Sequence, residues 1–237
     1  MSNSSVISIR NLGKCYSSRG KKDHWALRNA SLEIKRGEIW GIVGKNGAGK
    51  STLLKLLSRV TRQSEGDFEI HGKVHSLLEL GMGFHDELTG IDNLYVAGSI
   101  QGISRAELQS KLQSIIEFSG IGDAVYQNLR TYSSGMKVRL AFALAAHTEP
   151  DVLILDEILA VGDESFQRKC FETIRRFIEK DVTVIFVSHD MKLISLICTS
   201  CVLLDKGEIA HVGSPDSVID LYARIMGPGI SNGTLSL

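Results

Sequence analysis

The chain has no net charge: of its 237 residues, 27 are lysine or arginine and 27 are aspartate or glutamate. With no net positive field to draw it toward polyanions, no nucleic-acid partner is expected. It also lacks any stretch approaching the roughly 18 to 20 apolar residues that cross a bilayer. The run from Val138 to Ala146 is too short and is interrupted by Arg139. Met1 to Arg10 has no basic region followed by a long apolar one, so no secretory leader is expected. Attachment to a membrane would then pass through a partner or a surface. Four cysteines stand at 15, 170, 198 and 201, and only Cys198 and Cys201 have metal-site spacing. With no second pair or histidine cluster beside them, they read as buried packing thiols of a reducing compartment. There is no internal repeat.

What is present is an ordinary globular balance, 43% hydrophobic and 23% charged, and a length sufficient for a proper core. Short apolar runs alternate with helical patterns, which predicts an α/β fold with a mostly parallel sheet. Strands are expected around Ile7 and Ile9, over Leu27 to Ile34 and over Glu38 to Val43. Lys50 to Ser58 reads as a helix, and Asp67 to Ile70 and Val74 to Leu78 read as strands flanking a hairpin-like turn at His71-Gly72. From Asp86 to Thr148 the signals are helical. Ser104 with Glu107 forms a capping box, and Ser133 or Ser134 can cap the next helix. Strand, helix and strand follow at Val152 to Leu155, Ser165 to Glu179 and Val182 to Val187. A short helix spans Asp190 to Ile197, a hairpin turns at Lys206-Gly207, and Ser214-Pro215 opens a last helix. The expected organisation is one domain over 1–226, with an α/β core at 1–85 and 149–226. A helical subdomain occupies 86–148, and 227–237 forms a flexible tail.

Gly44-Lys45-Asn46-Gly47-Ala48-Gly49-Lys50-Ser51 fits G-x-x-x-x-G-K-[ST] between a predicted strand and a predicted helix, the context this phosphate-binding motif requires. The glycines let backbone amides turn toward phosphate oxygens, and the helix start adds its positive dipole end. Lys50 would reach the β- and γ-phosphates of a bound nucleotide and Ser51 would offer its hydroxyl to Mg²⁺. Thr52 joins the cofactor-contacting set. The acids that should complete the site end the apolar run Val152 to Leu155. Asp156 would hold Mg²⁺, and Glu157 would polarise the attacking water.

No Asn-Lys-x-Asp stands in the chain, which removes the usual guanine reader of GTPases. Tyr132-Ser133-Ser134-Gly135-Met136 precedes a predicted helix between the two phosphate motifs. It resembles the signature segment of ABC ATPases, usually written LSGGQ, and keeps Ser134 and Gly135 of its core. The resemblance covers residues 6 to 225 and implies a P-loop NTPase with an ABC-type core: a mixed sheet with a RecA-like parallel part and an inserted helical subdomain. By the same resemblance His189 is the switch histidine and Asp163 belongs to the D-loop. Tyr16 stacks on adenine, with Trp25 as its rival. The signature of one subunit closes over nucleotide held by the P-loop of another, so Ser133, Ser134 and Gly135 would complete a site in a second copy of the chain. The family's usual glutamine is missing: none occurs between Glu65 and Gln101, and Glu79 lies at or beside its position on the metal side.

Two longer strings narrow the resemblance. Asp156 to Phe171, and Leu78 to Gly90 followed by Asn93, look like the ATPase subunits that export O-antigen, capsule or teichoic acid. They imply an ATPase at the cytoplasmic face of the inner membrane, bound to an integral membrane permease and moving lipid-linked polysaccharide. The alternatives are an ABC subunit for a lipid or drug cargo, or a soluble non-transport ABC ATPase. Met82 and Phe84 are either core or a surface for the permease.

Overall fold

The computed structural model describes residues 5–17, 23–76, 83–156, 163–188 and 190–226. The chain divides into two compact units, one of residues 1–71 with 183–237 and the other of residues 72–182.

In the first unit, β1 (Ser5–Tyr16) lies between β2 (His24–Lys35) and β4 (Glu65–Ile70), antiparallel to both. A parallel set places β3 (Ile39–Gly44) between β7 (Thr183–Val187) and β8 (Ser200–Asp205). Every residue of β3 and β7 is buried. That is why these strands are continuous apolar runs rather than alternating ones. The outer strand β9 (Glu208–Gly213) runs antiparallel to β8 and alternates exposed with half-buried residues, as a strand with one wet face does. Helices α1 (Lys50–Leu57), α6 (Met191–Ile197) and α7 (Pro215–Met226) complete this unit. Cys198 and Cys201 are buried and free beside Gly41, where an added Cβ would stand 2.8 Å from Cys201 Sγ. They are packing thiols, and their mutual hydrogen bond, helped by burial, pushes the Cys198 thiol up.

In the second unit, β5 (Val74–Ser76) pairs in parallel with β6 (Val152–Asp156). The expected hairpin at His71-Gly72 does not form. β4 pairs with β1, and its residues are exposed or half-buried, whereas β5 finds β6, buried from Val152 to Leu155. Burial of His75, with Val74 half-buried, beside that strand outweighs local turn chemistry. Gly72 is the crossing point: its φ is +115°, and an added Cβ would lie 2.5 Å from the Asp151 side chain. Asp151 in turn accepts a 2.8 Å hydrogen bond from Lys73 N.

The middle of the chain is helical, as expected: α2 (Gly90–Ile100), α3 (Arg105–Ser119) and α4 (Ser134–Ala146), with 3-10 turns at Gly122–Tyr126 and Leu129–Thr131. Thr89, Ser104 and Ser133 cap the three helices through their hydroxyls. Leu94, Leu108, Ile115, Leu140 and Leu144 form their shared core, with Phe84 packed against it. α5 (Glu164–Glu179) follows β6. His75 is buried and joins β5 to the end of α4 through Thr148 Oγ1 at 2.6 Å. Thr148 spends its proton on Ala145 O, so His75 Nδ1 is the donor, and burial, helped by the Lys73 charge, lowers the ring's pKa.

Candidate functional site

The phosphate loop hangs from the buried end of β3. At Gly44 an added Cβ would come within 2.4 Å of Leu204 O, so no larger residue fits against β8. Gly47 has φ +79° in open space, a backbone state that costs glycine little. Ala48 N donates to Lys45 O at 3.1 Å and closes the turn. α1 then begins with Gly49 at its N-cap, with no side chain to accept the first amides and no acid in the first turn. Those amides, with the helix dipole, suit an anion. Lys45, Asn46 and Gly47 are exposed and Ala48 is buried. Lys50 is buried, its Nζ donating to Gly44 O at 2.7 Å and Lys45 O at 3.1 Å. This holds the ammonium inside the loop. Ser51 is exposed and Thr52 half-buried on the first turn.

One participant escapes sequence reasoning. Gly207, in the β8–β9 turn, donates from its N to Ala48 O at 3.1 Å and accepts at its carbonyl from Arg28 N at 2.7 Å. It thereby fastens the loop to β2. Lys206-Gly207 is legible as a turn, but nothing local announces this distant contact.

Tyr16 and Trp25 lie at one end of the β1–β2 pair, where Cys15 faces Trp25 and Tyr16 faces His24. Paired residues share a sheet face and neighbours alternate, so the two rings project from opposite faces. Tyr16 is 42% exposed with Lys14 Nζ 5.2 Å from its ring centre, and Arg28 lies over Trp25.

In the second unit, Asp156 ends β6, directly after the buried run Val152 to Leu155. Glu157, Glu79 and His189 lie outside the described residues. The signature segment starts at the buried Tyr132, whose hydroxyl donates to Ala124 O at 2.6 Å. Ser133 Oγ accepts from Met136 N at 3.2 Å as the cap of α4. Ser134 is exposed and Gly135 half-buried on the helix's first turn. Asp163 caps α5, accepting from Phe166 N at 2.9 Å, Ser165 Oγ at 2.8 Å and Arg139 Nη2 at 2.7 Å. The backbone hydrogen bond from Phe166, then those from Ser165 and Arg139, hold its carboxyl down at about 2. Arg139 also covers the Phe166 ring at 5.1 Å, so α4 grips the first turn of α5.

A glycine loop on a buried parallel strand, an uncapped helix start and an internal lysine define a nucleotide-phosphate-binding α/β protein. Comparison with known proteins refines the class. The family described as ABC transporter matches residues 27–160. The O-antigen export system ATP-binding protein RfbB of Klebsiella pneumoniae is 44% identical over 208 residues, 88% of this chain and 84% of that one. The ABC transporter protein AbcA of Aeromonas salmonicida is 46% identical over 85% of this chain and 65% of its own. The teichoic acids export ATP-binding protein TagH of Bacillus anthracis is 39% identical over 89% of this chain and 38% of its own. A solved ATP-binding subunit of an ABC transporter superposes with TM-score 0.79 at 22% identity, covering 92% of this chain and 93% of that one. A dimeric ATP-binding cassette bound to ADP and Pi gives 0.76 at 21%, over 88% and 98%. The chain belongs to the ABC transporter family. It is an ATPase of that family.

Proposed function

We propose that the chain is the ATP-hydrolysing subunit of an exporter of lipid-linked polysaccharide, acting as a homodimer on an integral membrane permease at the cytoplasmic face of the membrane. The observation that carries the cargo is its likeness, over most of both chains, to the O-antigen export protein. The Asp156 to Phe171 string supports the same reading. Among the described residues no helix is long and apolar enough to cross a membrane, which suits a subunit recruited by a permease.

The helical stretch 86–148 is taken as the subdomain that carries the signature. The α1 amides and Lys50 hold the β- and γ-phosphates of ATP. Ser134 Oγ and the first amides of α4 approach the same phosphates from the second copy. Ser51 and Asp156 are the residues that would hold Mg²⁺, and the exposed Ser51 hydroxyl on an acid-free first turn fits that role. The ion would neutralise charge on the β- and γ-oxygens, with Glu79 standing where the family has an amide. Glu157 takes the proton of the attacking water, His189 meets the γ-phosphate, and Asp163 fixes the end of the segment that carries Glu157.

The surface we infer for the permease is a cleft of about 440 Å³ lined by Tyr95, Val96, Ser99, Ile100, Ile103 and Arg105; that Ile100 is 61% exposed there supports this reading. Phe84 is partly buried against the helical core and is packing first; Met82 lies outside the described residues. The decisive experiment replaces the chain in its host by Glu157→Gln. An ATP-bound dimer should persist on size exclusion, and lipid-linked glycan should accumulate inside. Normal turnover would remove Glu157 as the catalytic carboxylate, and normal surface glycan in cells lacking the chain would remove the cargo.

A further inference from the structure

The start of α4 is fastened twice to one loop. Residues 86–90 run beside residues 127–130: Arg130 N donates to Asp86 O at 3.0 Å, Leu129 N to Leu88 O at 3.0 Å, and Gly90 N to Gln127 O at 3.2 Å. An isolated antiparallel bridge joins Thr89 to Asn128. The strip 127–130 leads directly into Tyr132 and the Ser133 cap, so this backbone zipper sets where the helix begins. The second fastening is a side chain. Lys137, just past the first turn of α4, reaches back to the same loop and donates to Asp86 Oδ1 at 2.5 Å.

The loop itself is made stiff by a buried amide. Asn93 is 0% exposed. Its Oδ1 accepts from His85 N at 2.6 Å, and its Nδ2 donates to His85 O at 3.1 Å, Leu88 O at 3.2 Å and Thr89 O at 2.9 Å. A buried amide this fully satisfied fixes one backbone path. Asp86 is therefore a stationary anchor, and Lys137 ties a helix to it.

We propose that Lys137 is a positioning residue for ATP hydrolysis: through Asp86 it holds the first turns of α4 so that Ser134 and Gly135 meet the nucleotide of the second copy in register. The inference rests on the composite-site reading of Ser134. The zipper fixes the helix start and the buried run Leu140 to Ala146 seats its far end; between them the exposed first turns are tied by Lys137 to Asp86 and by Arg139 to Asp163. The side chains of Lys137 and Asp86 are 33% and 61% exposed, and an exposed pair adds little to stability. Its loss therefore leaves the fold intact. A small misplacement of a phosphate donor nonetheless costs rate steeply.

The test compares Lys137→Asp, Asp86→Lys and the double swap in the purified full chain, at protein concentrations where wild-type ATPase per chain no longer rises. Each single variant should lose about tenfold in kcat, with the thermal midpoint unchanged. Binding of a fluorescent ATP analogue by the separated chains should also be unchanged. The double swap should recover at least half of the wild-type kcat, which a merely structural role does not predict. Wild-type kcat in both single variants, or a double swap no better than either, overturns the proposal. Ser134→Arg is measured alongside. If Ser134→Arg hydrolyses ATP normally, the composite site falls and the proposal with it. If it is inactive while Lys137→Asp is normal, only the proposal falls.

Discussion

Two helix starts in this chain face phosphate in the proposed cycle, and they are finished differently. α1 opens on Gly49 with no side-chain cap, and its lysine is folded back onto the loop carbonyls. α4 opens on Ser133, which spends its acceptor on Met136 N, and leaves Ser134 exposed beside it. Neither has an acid in its first turn, whereas α2, α3 and α5 carry Asp92, Glu107 and Glu164 there. An acid at a helix start satisfies the dipole internally; its absence leaves that field for a ligand. The difference lies in completeness. In the proposed reading α1 brings a wound loop, a helix start with no side-chain cap and a captive cation, enough to hold a triphosphate tail. α4 brings one hydroxyl and part of a helix start, enough only to finish a site that another copy has begun.

The sharpest way to break that contrast is at Lys50. Lys50→Ala removes the captive cation, and ATP hydrolysis should fall by at least about a hundredfold in a phosphate-release assay, with nucleotide affinity falling as well. Residual turnover near wild type would mean the first helix start does not hold the transferring phosphate. Ser134→Arg should cost about as much in turnover, yet leave binding of a fluorescent ATP analogue by separated chains intact. Loss of binding there would erase the distinction between a whole site and half of one. Ile100→Asp tests a region outside both starts. It should leave ATP binding unchanged and lower surface glycan severalfold in cells, because a charge in an apolar cleft opposes docking of a permease.

The unequal legibility of these regions follows from where their contacts come from. The phosphate loop is local: strand, glycines, lysine and helix lie in one short stretch, and each is built as the pattern implies. The cap at Ser104 is legible for the same reason, and that of α4 down to Ser133 or Ser134, of which the structure uses Ser133. The failures are distant pairings. β5 looked like the return arm of a hairpin because only its neighbours were visible. Its partner is β6, far along the chain, and the burial of that strand decides the register. Gly207 against Ala48, Arg139 against Asp163 and Lys137 against Asp86 are likewise invisible to local pattern. Each is a polar contact between segments whose spacing in sequence carries no periodicity.

Smaller effects sharpen the contrast within the second unit. Ser133→Ala and Ser104→Ala each delete a hydroxyl cap, and each should cost about 1 kcal/mol of stability in chemical unfolding. Only the first should lower ATPase kcat, by a few fold, because only α4 presents its start to nucleotide. Equal kcat for the two would mean that the exact seating of α4 is immaterial.

The smallest expected effect concerns Asp163, which finishes α5 in the way neither phosphate-facing helix is finished. Its carboxyl is lowered from 3.8 to about 2, first by the Phe166 amide, then by Ser165 and Arg139. A folded value below the unfolded one means the ionised form is favoured by folding. The contribution is fully present above about pH 4 and is lost as pH falls toward about 2. Asp163→Asn keeps a side-chain oxygen for the Phe166 amide but gives up the charge that Arg139 meets. The stability gap between wild type and Asp163→Asn should therefore be constant from pH 7 to about 5 and shrink below about 4. Urea unfolding at a series of pH values measures it. A gap that stayed constant down to pH 3 would mean the charge is not what holds α5 to the signature helix, and that Arg139 is kept in place by the Phe166 ring alone.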